Sequence, residues 1–417
     1  MFESLKNNTK NIFKNKELNE IFVKCFFNTI DTTLSIDNNQ YFVITGDIPA
    51  MWLRDSSMQV MHYLYFVEDK EVQSLIKGVL KTQFKQICID SYANAFMRDE
   101  KQVSEWDGQT KTDYLPKIVW ERKYELDSLC YPLFLAVKYY QKTNDLSIFD
   151  DLFLKAFDKI VDTAEKEKKH SSLSTYYFIR GVKEDIGRNT NPKEEKGLIW
   201  SGFRPSDDAC KYHYHIPDNM FFVSVISQLI PVFKTLKDEK RADFCMKICI
   251  KLAKLIEKYG IQNIEGIGNV YVSETNCLGE YHLDDDANIP SLLSLPFLEY
   301  PYLDQKTYLR TRKYVLSKNN KYYYEGSILK GIGSPHTPAN RVWPLSLSMQ
   351  GITSNDKDEI IDCLKQLIKS TDGTQLMHES VDVNDTSKYS RPWFSWANSQ
   401  FCLFVLKHKD LINRYFE

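Results

Sequence analysis

Apolar residues recur three and four apart in about a dozen separate segments of this chain, and that periodicity constrains its fold more than any other feature. Such spacing lines one face of a helix, so each segment carries a stripe that something must cover. The pattern predicts helices over 18–34, 53–67, 71–89, 124–141, 146–167 and 219–236, then over 239–259, 304–316, 341–349, 356–370, 392–407 and 410–415. The connections hold Pro, Gly, Asn or Asp, which stop helices and turn chains. Extended runs are few and short, at 41–45, 174–180 and 322–324. No Gly/Ser linker, low-complexity tract or sequence repeat breaks the order, so one helical domain over 1–417 is expected. About twelve helices in hairpin order allow a closed double ring, an all-α (α/α)6 barrel. A superhelical solenoid is the rival architecture, disfavoured by the missing repeat.

Charge narrows the partners. Lys and Arg number 54 against 56 Asp and Glu, a net charge of −2, which argues against nucleic acid as a partner. No uninterrupted apolar stretch reaches the roughly 18 residues of a membrane span. The first residues carry Lys6, Lys10, Lys14 and Lys16 where a signal peptide has its apolar core. The nine cysteines are odd in number and lack CxxC spacing, which reads as reduced thiols. The expectation is a cytoplasmic protein away from membranes, monomeric or weakly oligomeric. Aromatic residues make up 13%, more than a core alone requires, and sugar rings are one class of ligand that such an excess serves.

The unusual sequence lies in the connections, where a scaffold tends to hold functional groups. Residues 45–56 set Asp47 and Asp55 around Trp52 and Arg54 at a helix start; a guanidinium fork beside a carboxylate can grip a vicinal diol. Residues 104–107 and 119–128 bring Trp106, Asp107, Trp120, Glu125 and Asp127, with Glu125 and Ser128 on one helical face. Residues 200–209 hold Arg204 and the adjacent Asp207 and Asp208 among aromatics. Like charges and apolar walls both disfavour ionisation, so at least one of these carboxyls is expected to have a raised pKa, as a general acid requires.

Two further strings invite metal readings that do not survive. Residues 284–288, Asp-Asp-Asp-Ala-Asn, have the shape with which helical terpene cyclases hold magnesium diphosphate, but no second magnesium motif accompanies them. His378-Glu379 begins an HExxH pattern that fails because Asp382 stands at the second His position. No G-x-S-x-G supplies a serine nucleophile. Glu379, followed by the aromatic-rich Arg391–Asn398, is instead placed to activate water. Acids and aromatics at helix junctions suit a glycosidase, which works with two carboxyl groups across one glycosidic bond.

The strings TGDIPAMWLRDSS, VWERKYELDSLCYP, WSGFRPSDDACKY, DDANIPSLLSLP, MHESVDVND and RPWFSWANS, spread over 45–399, resemble glycoside hydrolase family 125, the metal-independent exo-α-1,6-mannosidases. The resemblance implies an (α/α)6 barrel, a pocket-shaped site, hydrolysis with inversion, α-mannosyl oligosaccharides as partners, and neither metal nor cofactor. It implies that Asp207 or Asp208 is the general acid, with the first of the pair favoured by analogy to glucoamylases, and that Glu379 is the general base. The Arg54–Asp55 pair resembles the diol grip of glucoamylases. Substrate contacts are expected from Asp47, Trp52, Arg54, Asp55, Trp106, Asp107, Glu125 and Asp127. On the other side of the chain they are expected from Arg204, Asp286, Asn288, His336, His378, Arg391 and Trp393. In the run Lys211-Tyr212-His213-Tyr214-His215 the paired histidines stand outside these signatures.

Overall fold

The computed structural model describes residues 2–187 and 192–416. In chain order its helices are α1 (Glu3–Thr9), α2 (Lys16–Asn28), α3 (Leu53–Met61), α4 (Lys70–Ile89), α5 (Leu126–Thr143), α6 (Asp151–Glu167) and α7 (His170–Leu173). They continue with α8 (Ile216–Thr235), α9 (Glu239–Tyr259), α10 (Gln305–Val315), α11 (Pro344–Ile352), α12 (Lys357–Ser370), α13 (Ser395–Lys407) and α14 (Lys409–Tyr415).

Two kinds of helix emerge, and their starts tell them apart. Helices α2, α4, α6, α9, α10 and α12 each begin behind an Asn or Asp whose side chain accepts a backbone N–H. That is ordinary capping of a helix whose outer face meets water. Helices α3, α5, α8, α11 and α13 instead begin behind Trp52, Glu125, His215, Trp343 and Phe394, none of which makes a side-chain cap bond. These are the inner helices, buried nearly all round; every residue of α3 is buried. The pairs α13–α3, α3–α5, α5–α8 and α11–α13 pack side by side, and α8–α9, α11–α12 and α13–α2 join inner ring to outer. The result is the (α/α)6 barrel.

The sixth inner position holds no regular helix. Residues 291–299 fill it with successive turns, such as Ser294 N–H to Ser291 O at 3.1 Å and Phe297 N–H to Ser294 O at 2.9 Å. Pro296 within the run and Pro290 before it supply no amide hydrogen, so a full helical ladder cannot form. The turns are held in place all the same. Asp285, buried, accepts the N–H groups of Leu292 and Leu293 at 2.7 and 2.9 Å, and Tyr308 of α10 donates to Leu293 O. The periodicity reading misses this segment. It also misses α1, and it starts the 146–167 helix early: Leu146–Ile148 is a single 3-10 turn before the Asp150 cap. Helix α14 forms as predicted but continues from α13 outside both rings.

Helix α8 is long and apolar enough to cross a membrane by length and composition alone, yet 78% of its apolar stretch is buried inside the barrel. One cluster of buried hydrophobic residues runs from Phe2 to Ile412. Three small sheets crown the end of the barrel where the inner helices begin. They pair Met51–Trp52 with Ala95–Phe96 and Val119–Glu121; Tyr214–His215 with Glu274–Thr275 and Tyr281–His282; and Arg341–Val342 with Ser380–Asp382 and Tyr389–Ser390. Each sheet leads directly into one or two inner helices, so residues just before those helices converge on the barrel axis.

Candidate active site

That convergence produces a cavity lined by Trp52, Arg54, Asp55, Asp207, Asn288, His336, Glu379 and Arg391, all named from the sequence. Thr45, Ile48, Pro205, Ser206, Trp343, Phe394 and Trp396 complete it.

Arg54 is the hub. Its Nη1 donates to Glu125 Oε2 at 2.9 Å and Asp127 Oδ2 at 3.1 Å, and its Nη2 to Asp207 Oδ1 at 2.7 Å. Nε lies 3.6 Å from Asp55 Oδ2. Glu125 and Asp127 have no exposed side-chain surface and sit beneath the guanidinium, away from the cavity. Ser128 donates to Glu125 Oε2 at 2.9 Å. Four acids therefore surround one buried cation, and burial favours their neutral forms. Burial raises Asp55 to about 6 and Asp127 to about 7 against the pull of Arg54. Glu125 is held well above the usual carboxylate range, by burial first and by the neighbouring Asp207 second.

Asp207 behaves oppositely. Burial acts to raise it, but Arg54, a hydrogen bond from Glu125 and the nearby Lys123 together hold it below the usual range. Asp208 is also lowered: its burial is outweighed by His336, Arg204 and Ser206. The expectation that one of this adjacent pair has a raised pKa is therefore corrected. The raised carboxyls are the partners across Arg54, and sequence adjacency shows nothing of that fork.

Local backbone explains why Asp207 reaches the cavity. Arg204 N–H bonds Asp208 O at 2.8 Å and Asp207 N–H bonds Arg204 O at 2.9 Å, closing a tight loop with Asp207 at φ 62°. A left-handed Asp is a sparsely populated conformation, of the kind found at functional sites. Lys123 Nζ donates to Asp207 O at 2.8 Å and fixes the loop from below. Asp208 turns aside to Ser206 Oγ at 2.8 Å, with His336 Nδ1 at 3.5 Å; that contact raises His336 to about 9, so it is a cation at neutral pH. The run 211–215 supports the loop from behind. Glu274 accepts the N–H groups of Lys211 and Tyr212, His213 stacks on Trp200, and His215 pairs with Asp218 at 2.7 Å.

Glu379 enters from another wall. Its Oε2 accepts from Ser390 Oγ at 2.7 Å and its Oε1 lies 3.5 Å from Arg391 Nη1. Arg391 in turn forks onto Asp47, with Nε to Oδ1 at 2.9 Å. Gly46 makes this possible: at φ 137° it lies so close to the Trp393 carbonyl that a Cβ would come within 2.1 Å of the oxygen.

The other named residues fall around the cavity rather than in it. Arg204 and Asp286 line a smaller recess that shares Asn288 with the main cavity, and Asp286 accepts from Asn288 and Ser334. His378 is buried behind Glu379, stacked on Tyr389 with ring centres 3.6 Å apart. Trp393 donates its indole N–H to Thr32 Oγ1. Trp106 and Asp107 line a separate cleft. Sequence reading did not single out Trp343, Phe394 or Lys123. The available signal was position: aromatic residues stand where an inner helix wants a cap.

With this geometry in view, the comparisons are decisive. The metal-independent alpha-mannosidase family (GH125) matches residues 15–406. The chain belongs to this family. A Schizosaccharomyces pombe relative, the meiotically up-regulated gene 157 protein, is 38% identical over 97% of this chain and 84% of its own. A Streptococcus pneumoniae metal-independent alpha mannosidase, solved in a non-productive complex with alpha-1,6-mannobiose, superposes with a TM-score of 0.93. It is 38% identical over 98% of this chain and 97% of that one. A Saccharomycopsis fibuligera glucoamylase shares the fold alone, with a TM-score of 0.61 and 11% identity over 95% of each chain. The GH125 chain described here is a glycoside hydrolase with α-mannosidase activity.

Proposed function

We propose that this mannosidase removes α-1,6-linked mannose from non-reducing ends with inversion, Asp207 serving as general acid and Glu379 as general base. The observation that carries the reading is that these two carboxyls line one cavity from separate connections. Arg54 and the buried acids under it close the cavity floor, which favours entry of a chain end over passage of a chain through it. The α-1,6 linkage rests on the disaccharide bound by the Streptococcus pneumoniae relative.

Within this reading Glu379, oriented by Ser390, takes a proton from water as the water oxygen bonds the anomeric carbon. The bond from that carbon to the leaving oxygen breaks, and the oxygen takes a proton from Asp207. In the free enzyme that proton rests on Glu125, hydrogen-bonded to Asp207; as charge develops on the leaving oxygen it is drawn across to Asp207. Asp55, Arg391 and Asn288 offer donors and acceptors to the sugar hydroxyls, and Trp343 and Trp396 offer apolar faces.

The test is hydrolysis of α-1,6-mannobiose by the wild type, Glu379→Gln and Asp207→Asn. Each substitution is expected to lower kcat by about 10²–10⁴-fold while leaving the thermal midpoint near that of the wild type. A folded Glu379→Gln enzyme with near-normal turnover overturns the assignment.

A further inference from the structure

The sheet that positions Trp52 carries a second, unassigned site two strands away. Trp52 pairs with Ala95, and Ala95 pairs with Glu121, which puts strand Val119–Glu121 about 10 Å from the catalytic wall. Ala50, Trp52, Ala95, Met97 and Trp120 form a small hydrophobic cluster of their own. Trp52 on one side of it lines the catalytic cavity; Met97 and Trp120 on the other line a cleft of about 340 Å³.

The cleft is built for a neutral polyol. Trp106 is held by the Arg180 guanidinium 4.1 Å from its ring centre, and Arg180 does not itself line the cleft. Arg180 is fixed in turn by Glu121 Oε1 at 2.7 Å and Thr110 Oγ1 at 3.1 Å. A clamped indole gives a rigid apolar face without loss of side-chain freedom on binding. Beside it Asp107 stands as an acceptor, while Gln102 and Glu121 already accept from Arg98, Arg180 and Asn94, and the buried Trp120 indole N–H has no acceptor of its own. Acidic and basic residues both line the walls, which favours neither an anion nor a cation.

We propose that this cleft is a distal subsite that holds mannosyl units on the leaving side of the scissile bond, with Trp106 as its stacking platform. The inference rests on the mannosidase reading above and adds to it a preference for longer saccharides. The test compares kcat/KM of the full-length wild type and Trp106→Ala on α-1,6-mannobiose and α-1,6-mannotetraose. The tetraose-to-biose ratio is expected to fall about tenfold in the variant, through KM. Asp107→Ala, on the exposed part of the same loop, is expected to shift the ratio in the same direction and serves if Trp106→Ala does not fold. A ratio unchanged in both variants, or an equal loss on both saccharides, overturns the subsite. A wild type inert on both saccharides overturns the mannosidase reading and the subsite with it, a result distinct from an unchanged ratio.

Discussion

At the residue scale the site is a problem in proton placement. Arg54 contacts Glu125, Asp127 and Asp207 and lies near Asp55, so one positive charge faces four acids, and the cluster retains protons at neutral pH. Burial favours the neutral form of Glu125, and in the proposed mechanism this proton is the one that Asp207 delivers. The alkaline limb of kcat/KM then reports the loss of that proton from the pair. In Glu125→Gln the store is gone, while Arg54 and Lys123 still favour ionised Asp207, so the limb is expected to move to lower pH by about one unit or more. A pH–rate profile checks this, and an unmoved limb contradicts it. Stability follows the same sign. Native Glu125 keeps its proton above the pH at which the unfolded chain releases it, so its contribution to stability is lost as pH rises through its folded value. That Asp207, with its neighbour Asp208, and Glu379 are candidates was legible in the sequence, since they stand in distinctive strings. Their protonation was not. It depends on Arg54 lying 153 residues away in sequence and 2.7 Å away in space.

At the element scale, the outer and inner rings use opposite rules at their helix starts. Outer helices end their loops with Asn or Asp caps; Asp150 accepts from both Leu152 and Phe153 at 3.0 Å. Asp150→Ala is expected to lower stability by about 1 kcal/mol with kcat unchanged, as thermal unfolding and a mannobiose assay would show. A fall in kcat with no fall in stability would contradict the separation of the two rings. Inner helices begin at Trp52, Glu125, His215, Trp343 and Phe394 without a cap from those side chains, and neighbouring connections take first amides instead, as Asn94 O does for Leu53, Ser201 Oγ for Leu126, Ser273 O for Ile216 and Thr45 O for Ser395. The same division explains what the sequence revealed of the fold. Amphipathic outer helices such as α6 and α12 announce themselves by one-sided apolar spacing, and α13 shows as an apolar block. The sixth inner element at 291–299 does not, because Pro296 and the serines read as a loop, while packing and the hydrogen bonds to Asp285 and from Tyr308 hold Leu292, Leu293 and Leu295 inside. The three sheets at the mouth escape for another reason. Two- and three-residue strands carry too little pattern to see, and each sheet includes a pairing between segments distant along the chain.

At the scale of the whole molecule, the barrel holds two acidic connections, before α8 and before α13, at one end of its axis. Hydrolysis then needs a water, two carboxyls and a sugar held in place, with no metal in the chemistry. The family is metal-independent, and activity is expected to survive exhaustive chelation unchanged; a loss on EDTA treatment restored by calcium or zinc would contradict this. Inversion is the sharper consequence of the proposed mechanism. A base that activates water on the face opposite the leaving group yields product of reversed configuration in a single step, whereas a nucleophilic carboxylate preserves configuration through a covalent intermediate. The most direct measurement is the anomeric proton of the first product, followed by NMR in the opening minutes of α-1,6-mannobiose hydrolysis. The account predicts β-mannose first, with the α anomer appearing only by mutarotation. If α-mannose appears first, Glu379 acts as a nucleophile and the account is wrong.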